Sequence, residues 1–283
     1  MRRTRGAALV LVMWLIALLT ALVGAYSMTA RIEHMQGRVL SRGLVAEQAA
    51  RAGLEYAMAR VADPMVEAQW IPDGRTYAWA FGAASVEVRI VDESGKVDLN
   101  AAAEPLLSSL LRVVGADADT AGAVATAIID WRDSDSLTQV SGGAEDAQYA
   151  AAERPYGAKD APFETIGEVE QVLGMTPALY AAVAEHLTVF SGQADPDERY
   201  ASAQVLQALG LDPTATLAQR QGAGAATDPS LVGGGSGTYS VDSRARLEDG
   251  RQAILRAVVR AGTSGVPGSA YAPLRWEEGA TPR

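Results

Sequence analysis

The chain has 283 residues and a formal net charge of −10; 48% of its residues are hydrophobic but only 6% are aromatic, and it has no cysteine. The acidic balance excludes nucleic acid, whose phosphates require a basic face, and argues against an anionic lipid surface for the soluble part. Without cysteine there are no disulfides, thiol chemistry or thiolate metal sites, so the fold rests on packing or on a hard metal such as calcium. The only histidines, His34 and His186, are too far apart in sequence to indicate a zinc or iron site.

Met1–Arg5 carries Arg2, Arg3 and Arg5; Gly6 follows, and no charge occurs from Ala7 to Ala30. As a helix that stretch covers roughly 36 Å, enough to cross a bilayer's hydrocarbon core. The preceding arginines keep the N-terminus cytoplasmic and send the bulk of the chain across. A secretory signal peptide would have a shorter apolar run, and Ala21–Ala25 offers only weak cleavage sites; an ordinary signal anchor and a prepilin leader cut between Gly6 and Ala7 both fit this hydropathy. The leader explains best why a short basic segment ends in glycine just where the apolar run begins. The helical pattern then continues through Ile32, Met35, Val39, Leu40, Leu44, Val45, Leu54, Ala57, Met58 and Val61. Pro64 stops it. One helix over about Ala7–Ala62 is expected, apolar in its first half (7–30) and amphipathic in its second (31–63), with Gly24, Gly37, Gly43 and Gly53 as points where it can bend.

Thr76–Phe81 and Ser85–Val91 read as a hairpin, since Val86, Val88 and Ile90 alternate with Glu87 and Arg89. Tyr239–Leu247 and Arg251–Val259 read as another, joined by Glu248-Asp249-Gly250. Tyr271–Trp276 adds an edge strand. The sheet therefore falls in 64–99 and 238–283. Between them, 100–221 reads as helical, with segments at Ala101–Gly115, Thr120–Arg132, Thr165–Leu173, Pro177–Leu187 and Ser202–Gly210. Asn100 is expected to cap the first of these, and Gly115, Gly174 and Gly210 to end theirs. The Gly/Ser/Ala-rich run 222–237 reads as a flexible linker. The fold class is α+β: a long N-terminal helix on an antiparallel sheet, interrupted by a large all-α insertion.

Asp130, Asp133 and Asp135 fall within six residues, and Glu145 and Asp146 follow a Ser-Gly-Gly turn. The plain reading is solvated loop carboxylates, with Asp130 or Asp133 capping a helix. A second is a hard cation such as calcium, which gathers six to eight oxygen ligands from loops of this kind; the spacing is not that of an EF-hand. A third, a paired-carboxylate glycosidase, has only Trp131, Tyr149 and Tyr156 as a sugar platform. No catalytic residue is assigned.

These pieces together resemble the minor pseudopilin K (GspK) family of type II secretion systems over nearly the whole chain. The resemblance is carried by the leader Arg3-Thr4-Arg5-Gly6, by Leu11 where most pilin-like chains have glutamate, by D-W-R-D-S-D at Asp130–Asp135 with G-G-A-E-D at Gly142–Asp146, and by the helical insertion in a pilin sheet. It implies a type IV pilin-like fold with a helical insertion, within which Phe163–Met175 separately resembles a helix-hairpin-helix or SAM-like segment. Processing and N-methylation by a prepilin peptidase follow, at Gly6 and Ala7. So does a place at the tip of a periplasmic pseudopilus, with I- and J-type minor pseudopilins and the major pseudopilin as partners and the bacterial inner membrane as anchor. There such a subunit initiates assembly and supports export, with Leu11 fixing its position in the filament. The resemblance also implies calcium on Asp133, Asp135, Glu145 and Asp146, with Asp130 as a further candidate. The helix-hairpin-like segment Phe163–Met175 reads as packing. Outside this family, a membrane-anchored periplasmic binding protein or hydrolase, or a minor pilin of a type IV pilus, fits the same features.

Overall fold

The computed structural model describes residues 5–139, 142–221, 235–262 and 270–279. A single helix, α1, runs over Arg5–Val61. Its 57 residues extend for about 86 Å at the usual helical rise. Within it, Leu9–Thr29 is long and apolar enough to cross a membrane, and none of it is buried inside the molecule. The expected linker 222–237 lies mostly outside the described residues, as do the first four residues of the expected leader.

Five strands form an antiparallel sheet in the order β1 (Asp73–Phe81), β2 (Ala84–Asp92), β5 (Thr238–Arg246), β6 (Gln252–Ala261), β7 (Tyr271–Glu278). Alternation decides the faces. Val86, Val88, Ile90, Val241, Leu255, Ala257 and Val259 point to α1 and share its core, while Glu87, Arg89 and Arg244 point away. The helix contributes Ala46, Ala49, Ala50, Leu54, Ala57 and Met58 to that core. Its covered face begins only at Ala46; Leu44 and Val45, counted with the amphipathic half from their spacing, are more than half exposed. The reason is reach: strands of nine or ten residues rise about 30 Å, so they cover no more than some twenty helical residues.

Gly53 faces the sheet at a point of close approach. A Cβ there would stand 2.3 Å from Ser243 Oγ and 2.7 Å from Val86 Cγ1. The glycine thus permits close approach of helix and sheet. The helix runs through all four glycines in which a bend is expected.

The insertion leaves the sheet at Asp92 and returns at Thr238, and Asp92 is paired with Tyr239. Its two ends are therefore adjacent, and the β2–β5 ladder is unbroken. It contains α2 (Glu104–Val113), α3 (Ala118–Arg132), α4 (Asp146–Ala151), α5 (Pro177–Val183), α6 (Ala203–Ala208) and α7 (Pro213–Gln221). A two-residue parallel pair, β3 (Val97–Asp98) with β4 (Leu187–Thr188), joins its beginning to its later part. Its own core gathers Leu107, Leu110, Leu111, Val124, Ile128, Trp131, Tyr149, Phe163, Val205 and Leu206 among others. Gly115, Gly174 and Gly210 carry φ of +112°, +87° and +78°, the left-handed conformation that ends a helix.

Three local expectations are corrected. Asn100 caps no helix: α2 begins after Ala103, and the Asn100 amide instead exchanges two hydrogen bonds with the Phe163 backbone, at 2.9 and 2.7 Å. The segment Thr165–Leu173 is a 3-10 helix over Ile166–Gln171, with Thr165 and Glu168 forming a capping box at its start. The helix from Pro177 ends at Val183, passes into a 3-10 turn over Ala184–His186, and gives Leu187 to β4.

Candidate cation site

The acidic residues collect at the C-terminal end of α3. Asp117 starts that helix by accepting the N–H groups of Asp119 and Thr120. At its other end, Arg132 donates to the Leu99 and Ala102 carbonyls, which ties the last turn to the chain before α2. Trp131 is buried beneath, its ring 5.9 Å from Tyr149 and 6.2 Å from Phe163. This aromatic packing holds the helix end that presents Asp130 and Asp133. It also removes the sugar platform, because Trp131 and Tyr149 belong to the core.

Asp133, Asp135 and Glu145 each offer a carboxylate oxygen within 4.8 Å of the others. Asp130 lies in the same place, fully buried, and its Oδ1 accepts the Gln139 N–H at 3.2 Å. Gly143 makes room for it: a Cβ there would fall 1.8 Å from Asp130 Oδ2. Asp146 does not join the group. It opens α4 and turns toward Gly157, where a Cβ would fall 1.7 Å from its Oδ1.

The electrostatics show four carboxylates held against their own repulsion. Burial, then the charges of Asp130, Asp160, Asp133 and Asp135, push Glu145 up to about 7. Burial raises Asp133 as well, followed by the charge of Asp135. Burial raises Asp130 despite the N–H groups of Gln139 and Ala144 beside it. Among the described residues, Asp130 Oδ2, Asp133 Oδ1 and Glu145 Oε1 are buried with no hydrogen-bond donor. A buried acceptor without a donor is costly, and three of them in one pocket of oxygens fit a hard divalent cation. Sequence spacing did not reveal Asp160, whose charge acts on both Glu145 and Asp133. It stands 14 residues beyond Asp146, at a φ of +53°. That conformation is one aspartate tolerates better than most residues, but nothing in the sequence marks it.

The segment Phe163–Met175 gives Phe163, Val169, Val172 and Met175 to the insertion core, so it is packing architecture. At the other end of the molecule, α1 includes Gly6 and Ala7, and the Leu11 side chain is 70% exposed.

A long helix, bare and apolar in its first half, lies across an antiparallel sheet in its second. With the helical insertion between β2 and β5, this defines a pilin-like α+β fold. Residues 88–192, which run from β2 through β4, match the family model described as Type II secretion system (T2SS), protein K. The fold is similar to a chain in the crystal structure of the GspK-GspI-GspJ complex from the enterotoxigenic Escherichia coli type 2 secretion system. The TM-score is 0.55 at 15% identity, over 89% of this chain and 99% of that one. No curated protein matches the chain.

Proposed function

We propose that this chain is the minor pseudopilin that ends a periplasmic pseudopilus of a type II secretion system, and that it acts as a structural component of export across the outer membrane rather than as an enzyme. The observation that carries this reading is the combination of a pilin-like helix and sheet with a helical insertion over the residues that match protein K. In the matched complex a chain of this fold is assembled with GspI and GspJ; I- and J-type pseudopilins are accordingly the partners here. The major pseudopilin follows below them. Leu9–Thr29 is the inner-membrane anchor, with the sheet and insertion in the periplasm.

A prepilin peptidase removes the residues through Gly6 and methylates Ala7. In pilin-like filaments a glutamate at the fifth mature position pairs with the N-terminal amine of a neighbour. Leu11 occupies that position and leaves no carboxylate to bury unpaired where no subunit stands above. Leu11→Glu is expected to lower incorporation at the tip and secretion, read as the level of exported protein in a strain that depends on this chain. Secretion at the parental level would remove Leu11 from that role. Mass spectrometry of the mature N-terminus tests the processing: N-methyl-Ala7 is expected, and an intact Met1 would overturn the prepilin reading.

Asp133, Asp135 and Glu145 hold a calcium ion, with Asp130 behind them and Asp160 adding charge. The ion neutralises carboxylates that otherwise repel and so fixes the loop between α3 and α4.

A further inference from the structure

The two hydrophobic cores of the molecule do not merge. One belongs to α1 and the sheet, the other to the insertion, and among the described residues they share none. Polar contacts between the two lobes therefore help to set their relative position.

Between the two lobes lies Glu93, the first residue after β2, with no exposed surface. Three donors converge on it. Lys96 Nζ reaches Oε1 at 2.5 Å, Ser240 Oγ also donates to Oε1, and Thr188 Oγ1 donates to Oε2. Lys96 Nζ further donates to Ser240 Oγ at 2.8 Å. Ser240 belongs to β5 of the pilin sheet, whereas Thr188 belongs to β4 of the insertion. The same strand is pinned beside the carboxylate by the Leu99 N–H, which donates to the Thr188 carbonyl at 2.9 Å. Asp92, one residue earlier, ties the exit and the return of the chain together: the N–H and Oγ of Ser94 and of Ser236 all donate to it.

Both oxygens of a fully buried carboxylate are thus satisfied only while the two lobes keep one relative position. A small rotation of the insertion would strip Glu93 of a donor and leave a buried charge short of partners, which is strongly unfavourable. We propose that Glu93 is the positioning residue that locks the insertion on the pilin sheet, with Ser240 and Thr188 as its anchors on the two sides.

The lock is independent of the filament role and of any cation, and the lack of native cysteine makes it directly measurable. Spin labels on Ala80→Cys in β1 and Ala123→Cys in α3, both exposed positions, report the distance between the lobes of the full chain in detergent. The parent is expected to give one narrow distance distribution. Glu93→Ala is expected to broaden it by about twofold or more, as for a hinge released. Thr188→Val, which removes only the insertion-side donor, should also broaden it, and Thr188→Ser should restore the narrow distribution. Circular dichroism verifies that each variant is folded; if Glu93→Ala is not, the Thr188 pair decides. A broad distribution in the parent, or one as narrow as the parent's in folded Glu93→Ala and in Thr188→Val, would overturn the proposal.

Discussion

Glu145 makes the acidic pocket testable without knowing any partner. Its carboxyl is raised from an ordinary 4.5 to about 7 in the folded protein. A group raised in the fold contributes stability that is fully present below its unfolded value and is lost as pH rises through the folded value. Metal-free protein should therefore lose thermal stability between about pH 5 and pH 7.5, and calcium, which competes with protons for the same oxygens, should remove that slope. His186 works in the opposite sense. Burial lowers it below 6.5, so its contribution is present above 6.5 and lost as pH falls. The comparison of Glu145→Gln with the parent in chelator isolates the first effect: the variant should be the more stable near neutral pH and should no longer respond to calcium. Equal pH slopes for the two proteins would show that Glu145 is not strained. The neighbouring glycine gives a second test. With a Cβ 1.8 Å from Asp130 Oδ2, Gly143→Ala must move that carboxylate, and calcium affinity measured by titration calorimetry should fall by about 10–100-fold, as when an outer partner of a metal site is lost. An unchanged affinity would place Asp130 outside the site.

At the scale of single elements, a close approach between α1 and the sheet depends on one missing side chain. Gly53→Val would drive two methyl groups into Ser243 and Val86, and overpacking of this kind costs about 1–3 kcal/mol. Gly37→Ala, on an exposed turn with nothing within 4 Å, should instead be neutral or stabilising by up to about 1 kcal/mol. Chemical denaturation of the full chain in detergent measures both, and a Gly53→Val variant as stable as Gly37→Ala would mean that helix and sheet can separate at no cost. The same comparison shows which features can be read in a sequence. Strands β2, β5 and β6 were legible because alternation is a local signal that matches their two faces, and the glycines that end α2 and α6 were legible because their conformation is local too. Gly53 offered helical spacing only, and its actual task depends on Ser243, 190 residues away. The β3–β4 pair has two residues per strand, too few for any period, and exists because residues 97 and 187 meet in space. Among the carboxylates, spacing draws attention to Asp130, Asp133, Asp135, Glu145 and Asp146 alike; that Asp146 turns away from the others depends on the position of Gly157, and the charge of Asp160 reaches them from a left-handed turn.

At the scale of the whole molecule, charge and packing divide along the same line. The insertion, 93–221, contains 20 acidic and 7 basic residues, a net of −13, which leaves +3 for the remainder of a chain of −10. Its core is separate from that of the sheet, and the candidate cation site lies wholly inside it. Two cores joined by a polar seam are expected to unfold as two cooperative units, with ligand linkage acting on the one that binds. Scanning calorimetry of the full chain in detergent should therefore resolve two transitions, of which calcium moves one. At a free calcium concentration about 100 times the dissociation constant, linkage supplies about 2.7 kcal/mol, which for a unit of this size raises its midpoint by roughly 10 °C. The other transition, that of the sheet with the second half of α1, should stay where it is. A single transition that moves as a whole would mean that the seam at Glu93 carries enough energy to unite the lobes, and immobile transitions in verified metal-free protein would remove the cation from the insertion altogether.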